Sequence, residues 1–280
     1  MKNSIYPCIW FDNQAEEAAA FYKEAFINTE IKASNPLVVT LYVKGKQFLL
    51  LNGGPVFKPN PSISFFNIFE STEEINNTWN KLSDGGMVMM PLDVYPWSDQ
   101  YGWVQDKYGV SWQLALGKPG EEADVFPSLM FTGEQNGNAE QAINFYTSLF
   151  KDSSVEIVAR YEAGEGDTEG NVKYGEFFLE GSRISVMESA MAHQFGFDEG
   201  VSLVVNCDTQ AEIDFYWLNL TADGMEGRCG WCRDAFGVWW QVVPSILAEM
   251  MSDPEKALKV TEAFMQMTKF DIEALKKAAA

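Results

Sequence analysis

A chain that repeats itself once at long period is constrained to build two related domains, and this one does. Tyr6-Pro7-Cys8-Ile9-Trp10-Phe11 returns as Phe126-Pro127-Ser128-Leu129-Met130-Phe131, and the Ala15–Tyr22 segment returns as Ala139–Tyr146. The strongest match sets Gly102–Gln113 against Gly230–Gln241, with seven of twelve positions identical. The offset grows from 120 to 124 to 128 along the chain, so the second copy carries small insertions. Solenoid repeats have periods of roughly 20–50 residues, so this spacing means duplicated domains.

Within each copy the pattern strand, helix, several strands occurs twice, giving four βαβββ modules. Ala18, Phe21, Tyr22 and Ala25 share one face of a helix predicted over Ala15–Phe26, with Asp12 and Asn13 before it as cap candidates. A second helix is predicted over Thr72–Leu82, opened by Ser71-Thr72 with Glu74 as a capping-box partner and stopped at Asp84-Gly85-Gly86. The second copy repeats both over Asn138–Phe150 and Thr209–Leu220. Runs such as Phe48–Leu51 and Val201–Val205 read as strands. The polar segment 118–124, holding Pro119 and Gly120, reads as a linker between domains at 1–117 and 125–244. Residues 245–280 have no counterpart in the first copy and read as helices broken near Asp253-Pro254 and Phe270-Asp271. The tail's Met250, Met251, Leu258, Phe264, Met265 and Met267 are expected to pack on their own domain or to make a homodimer contact.

Charge narrows the partners. With 40 acidic against 20 basic residues the net charge is −20, and no Lys/Arg cluster exists to displace counterions from a phosphate backbone. Nucleic acid and anionic membrane surfaces are therefore not expected partners. No stretch reaches the roughly 18 apolar residues of a membrane span. The apolar run Ile5–Phe11 is short for a signal peptide and is followed by Glu16 and Glu17, so a cytoplasmic location is expected. Four cysteines, Cys8, Cys207, Cys229 and Cys232, are too few and too scattered for a disulfide framework.

Pro7–Asp12 with Ala15-Glu16-Glu17-Ala18 and Phe21-Tyr22, Leu51-Asn52-Gly53-Gly54-Pro55, Cys229-Gly230-Trp231 with Gly237–Gln241, Gly170–Phe177 and Asp271–Leu275 together resemble one known group. It is the PhnB-like branch of the vicinal oxygen chelate superfamily, also called 3-demethylubiquinone-9 3-methyltransferase-like, which is related to glyoxalases, dioxygenases and bleomycin resistance proteins. The resemblance implies an α+β fold of tandem duplicated glyoxalase-like domains. Each would comprise two βαβββ modules forming a curved sheet, with a C-terminal helical appendage here.

The resemblance also implies where a divalent metal would sit. Its first-strand His position falls on Tyr6 and Phe126, and its third-module His position near Ser64 and Ser202. The last-strand Glu position falls on Gln113 and Gln241, and the remaining ligand position near Asn52 and Glu188. None of the His positions holds His, and the chain's single histidine, His193, lies off them in a predicted loop. Amide and hydroxyl donors bind Zn, Ni or Fe weakly, and the lone carboxylate of Glu188 does not make a metal centre, so neither a metal nor another cofactor is expected.

Strand alternation assigns the cavity face. Tyr6, Cys8 and Trp10 would line it in the first copy with Ser111 and Gln113, and the resemblance adds Asn52 and Ser64. Phe126, Ser128, Met130, Trp239 and Gln241 would line it in the second, and the resemblance adds Glu188 and Ser202. Aromatic walls with a few polar handles suit a small, partly hydrophobic molecule. The alternative is a glyoxalase- or lyase-type enzyme with Glu188, Tyr6 or Cys8 as base, and a third reading makes one copy the binder and the other its structural partner.

Other motifs are weaker. Cys229-Gly230-Trp231-Cys232 has redox spacing but precedes a strand, and its counterpart Tyr101–Val104 has no cysteine. Gly164-Glu165-Gly166-Asp167 lacks the third glycine and following helix of a nucleotide loop, which disfavours methyl transfer from S-adenosylmethionine and marks a hairpin tip. Glu16-Glu17 reads as solvated helix surface.

Overall fold

The computed structural model describes residues 5–280; Met1–Ser4, the start of the N-terminal segment weighed above, lie outside the described residues. The first βαβββ module is β1 (Ile5–Phe11), α1 (Ala15–Ala25), β2 (Thr29–Ser34), β3 (Val38–Val43) and β4 (Lys46–Asn52). The second is β5 (Ile63–Phe69), α2 (Thr72–Ser83), β6 (Met87–Tyr95), β7 (Ser98–Gln105) and β8 (Ser111–Leu116). The third is β9 (Asp124–Thr132), α3 (Ala139–Leu149), β10 (Ser154–Arg160), β11 (Val172–Leu179) and β12 (Ser182–Ser189). The fourth is β13 (Val201–Cys207), α4 (Gln210–Thr221), β14 (Met225–Glu226), β15 (Trp231–Arg233) and β16 (Trp239–Pro244). The tail forms α5 (Ile246–Ser252), α6 (Pro254–Phe264) and α7 (Ile272–Ala278), broken where the sequence indicated.

Two compact units divide the described residues, one of Tyr6–Val201 and a smaller one of Ser202–Ala280 with Ile5. The larger holds a curved eight-stranded sheet in the order β10-β11-β12-β9-β5-β8-β7-β6. The pairs β5·β8 and β9·β12 are parallel, and the seam β5·β9 is antiparallel, Ile63–Ile68 facing Asp124–Leu129. The α+β class, the duplication and the construction of this sheet from two modules are as the sequence indicated. Sequence grouped the modules by repeat, however, whereas this sheet takes its second-module half from the first repeat and its third-module half from the second.

Helices α2 and α3 pack on one face of that sheet, and alternation along each strand decides which side chains they bury. Trp112 and Phe65 point to the helix side and meet Tyr22, Phe26 and Phe48 of the first module at ring-centroid distances of 4.7–6.3 Å. Truncating any one of these fully buried aromatics would cost about 3–5 kcal/mol. The core is closed by a buried carboxylate. Asp106 Oδ2 accepts from Trp112 Nε1 and Tyr22 Oη, each at 2.8 Å, while Oδ1 accepts from the Tyr108 and Val110 backbone N–H groups. Burial pushes the Asp106 carboxyl above its ordinary value even against these donors.

The smaller unit carries the strand order β14-β15-β16-β13 and repeats the same clamp. Asp234 accepts from Trp240 Nε1 at 2.8 Å and from the Phe236 and Val238 N–H groups. Its helix α4 starts in a complete Thr209–Glu212 capping box. The tail docks on this same unit: Gln210 receives Ile272 N–H and donates to the Phe270 carbonyl, and Phe270 and Leu275 are buried. Among the described residues no helix is long and apolar enough to cross a membrane.

Candidate functional site

The face of the eight-stranded sheet turned away from its helices gathers polar side chains among apolar ones. Four serines stand in one cross-strand row, Ser185↔Ser128↔Ser64↔Ser111, on β12, β9, β5 and β8. All four are almost wholly buried, at 0–1% exposure. The row exists because each strand alternates a helix-facing hydrophobe with a residue on this face, and the registers bring the serines level.

Gln113 organises the β8 side. Its Nε2 donates to Ser64 Oγ at 2.8 Å and its Oε1 accepts from Tyr101 Oη at 2.6 Å. Trp103 Nε1 donates to Ser111 Oγ at 2.7 Å. Burial holds the Tyr101 phenol well above its ordinary value, so it serves here as a proton donor in a hydrogen bond rather than as a base. Tyr101, Trp103, Ala115 and Met130 form an apolar cluster against which Phe66, Met89, Met90, Tyr95, Met187 and Phe195 pack, half-buried. Phe66 and Phe126 stack at 5.4 Å.

The β9–β11 side is ionic. Arg183 lies over the Phe126 ring, 4.3 Å from its centroid, donates to Glu176 Oε2 at 2.8 Å and approaches Asp124 at 3.6 Å. Tyr174 Oη donates to the same Glu176 oxygen, and Lys46 approaches Asp124 at 3.4 Å. Charges on this flank thus balance, two cations against two carboxylates.

Of the residues predicted from sequence, Ser64, Ser111 and Gln113 from the first repeat meet Phe126, Ser128 and Met130 from the second on this one face. Separate sites of a single copy each are thus replaced, in this unit, by a face to which both repeats contribute. Tyr6, Cys8 and Trp10 lie apart on β1, with Tyr6 and Cys8 buried; Trp10 Nε1 donates to the Gly54 carbonyl at 2.7 Å. Ser202, Trp239 and Gln241 belong to the smaller unit, where Gln241 Nε2 donates to Ser202 Oγ at 3.0 Å, repeating the Gln113–Ser64 bond.

Asn52 and Glu188 need correction. Both face the helices, in register with Phe11 and Phe131. Asn52 Oδ1 accepts from Ala15 N–H at 2.9 Å at the start of α1, in place of the expected Asp12 or Asn13. Glu188 accepts from Gly137 and Ala139 N–H at 2.6 and 3.0 Å at the start of α3, and from Val172 N–H at 2.5 Å. These are helix caps from a neighbouring strand, so the lone carboxylate offered as a base is committed to backbone. Residues that sequence reasoning missed include Ser185, Met187 and Arg183. The signal was present, since Ile184 and Val186 alternate with them and share the helix-facing side with Glu188.

The remaining motifs resolve simply. Gly164–Asp167 lies in the turn between β10 and β11. Cys229 and Cys232 are free thiols, and burial pushes the Cys232 thiol up. His193 shares a hydrogen-bond contact of 2.9 Å with Ser189. No cluster of three or more His, Cys, Asp or Glu side chains placed to hold a metal occurs among the described residues. The sheet face offers hydroxyls and an amide, while Glu176 and Asp124 are held by Arg183 and Lys46, so these donors do not fit a Zn, Ni or Fe centre.

Paired βαβββ modules around a curved sheet with a polar row inside define a glyoxalase-type α+β protein. The chain belongs to the 3-demethylubiquinone-9 3-methyltransferase family, whose model matches residues 3–115 and again 123–243. Glyoxalase I from Zea mays is similar in fold, with a TM-score of 0.54 at 12% identity over 84% of this chain and 89% of that one. A putative 3-demethylubiquinone-9 3-methyltransferase, a PhnB protein from Bacillus cereus, is 33% identical over 40% of this chain and 98% of that one, with a TM-score of 0.37. A lactoylglutathione lyase from Agrobacterium tumefaciens is 15% identical over 41% of this chain and 93% of that one, with a TM-score of 0.32. Curated proteins gave no match.

Proposed function

We propose that the chain binds a small, partly hydrophobic molecule on the inner face of the eight-stranded sheet, without a catalytic metal. The observation that carries this reading is the Tyr101–Gln113–Ser64 network set among Phe66, Phe126 and Met130. A filled core would place hydrophobes at these positions, since buried polar groups raise no stability beyond that of an apolar core. Polar handles ringed by aromatic and methionine side chains are the make-up of a small-molecule site.

The family's name refers to methyl transfer. The Gly164–Asp167 turn joins two strands instead of opening a helix, so it supplies no nucleotide cradle and supports no such reading here. An enzyme of lyase type would need a base; Glu188 is occupied by three backbone donors, while Tyr6 and Cys8, the other candidates, are buried on β1 away from the inner face.

Metal analysis of the purified protein, followed by calorimetric melting against a compound library, tests the proposal. Ligands that bind only the folded state raise the melting temperature, by an amount that grows with concentration. The expected result is substoichiometric metal and at least one stabilising compound whose effect is lost in Gln113→Leu. Stoichiometric Ni, Zn or Fe would overturn the metal-free reading, and a library without effect would overturn binding.

A further inference from the structure

Three buried polar atoms on the inner face have no hydrogen-bond partner: Ser128 Oγ, Ser185 Oγ and Arg183 Nε. They are neighbours. Ser185 and Ser128 are directly opposite on β12 and β9, and Arg183 precedes Ser185 by two residues on the same face, its guanidinium over Phe126. Two residues the other way stand Met187 and Met130, also directly opposite each other. A hydroxyl pair is therefore framed by an Arg–Phe pair on one side and a methionine pair on the other.

The large majority of buried side-chain polar atoms are hydrogen-bonded, so three orphans in one patch need a cause. An unmade hydrogen bond at a buried donor costs about 1–3 kcal/mol. Their chemistry is directional: Arg Nε only donates, and a serine hydroxyl can donate, so what they lack in common is an acceptor. The charge state is set as well. Arg183 and Lys46 are already balanced by Glu176 and Asp124, and an added anion would bring a net negative charge beside those carboxylates.

Building on the small-molecule reading above, we infer that the Ser128–Ser185 pair is the polar end of that site and receives a neutral oxygen acceptor, a carbonyl or ether-type oxygen. The body of the ligand lies against Phe66, Phe126, Met130 and Met187. Met187 and Phe195, the latter between β12 and β13 in a segment without helix or strand, pack half-buried against the Met130 cluster, and the ligand enters by displacing them. Methionine is unbranched and adapts readily to such displacement.

Three probes of one shape separate the possibilities by isothermal titration calorimetry: acetophenone with a neutral acceptor, ethylbenzene with none, and benzoate with an anionic one. The wild-type chain is expected to bind acetophenone roughly 3- to 10-fold more tightly than ethylbenzene, the worth of one net hydrogen bond, and benzoate more weakly than acetophenone. In the double variant Ser128→Ala/Ser185→Ala the advantage of acetophenone falls to about one-fold while ethylbenzene binds as before. That variant is expected to melt no lower than wild type, because it removes hydroxyls that bond to nothing. A lower melting point with the acetophenone preference intact would show that internal water holds the hydroxyls, and would overturn the inference. So would tighter binding of benzoate. Equal binding of acetophenone and ethylbenzene to the wild type refutes the acceptor while leaving the apolar site standing; binding of none of the three counts against both.

Discussion

At the scale of single residues, the side chains that matter divide by which face of a strand they occupy. Ser111, Gln113, Phe126, Ser128 and Met130 could be placed on one face because alternation with a bulky neighbour is a local signal, whereas Ser64 was placed there only through a family slot. Glu188 was misplaced because its position was inferred from a family slot, although Ile184 and Val186 beside it already fixed the parity. Asn67 shows a different limit. It sits fully buried on the helix side of β5, and both its amide atoms lack a partner. Nothing in the sequence distinguishes it from an exposed strand asparagine. Replacing an unpaired buried amide by an apolar group of similar size removes a desolvation cost, so Asn67→Leu is expected to stabilise the chain by about 1–3 kcal/mol. Calorimetric melting of the variant checks this, and a lower midpoint would contradict it.

At the scale of elements, helices were predicted within a residue or two, and the reason is that their periodicity and punctuation are local. Ser71 accepts from Glu74 N–H at the start of α2 as the sequence suggested. The starts of α1 and α3 were beyond sequence reasoning, because the capping group comes from a strand 37 or 49 residues further along. The two caps differ in kind. Asn52 is a neutral acceptor for one N–H, so Asn52→Ala is expected to cost about 1 kcal/mol and to speed hydrogen exchange in the first turn of α1. Glu188 is a charged acceptor for three, and its negative charge also suits the helix N-terminus. Glu188→Ala should cost more, about 2–4 kcal/mol, since three backbone donors, those of Ala139 and Val172 buried, lose their partner at once. Equal losses for the two variants would refute the distinction.

For the whole molecule, duplication was legible and the partnering of modules was not. Every module has the same pattern, so no local property says whether β5 pairs within its own repeat or with β9. The antiparallel seam Ile63–Ile68 against Asp124–Leu129 settles it for this sheet. A fragment ending at residue 117 would leave β5 with an unpaired edge made of Ile63, Phe65, Phe66 and Ile68. It is expected to be dimeric or insoluble by light scattering, and a stable monomer would argue that the seam is dispensable. The repeated aspartate–tryptophan clamp carries a practical consequence. Trp112 in the larger unit and Trp240 in the smaller are wholly buried, each with its indole N–H on a carboxylate. Each unit thus contains its own optical probe. An indole released from such a site shifts its emission to longer wavelength on meeting water. With the other tryptophans replaced, these two would report separately whether the halves of the polypeptide open together or in turn.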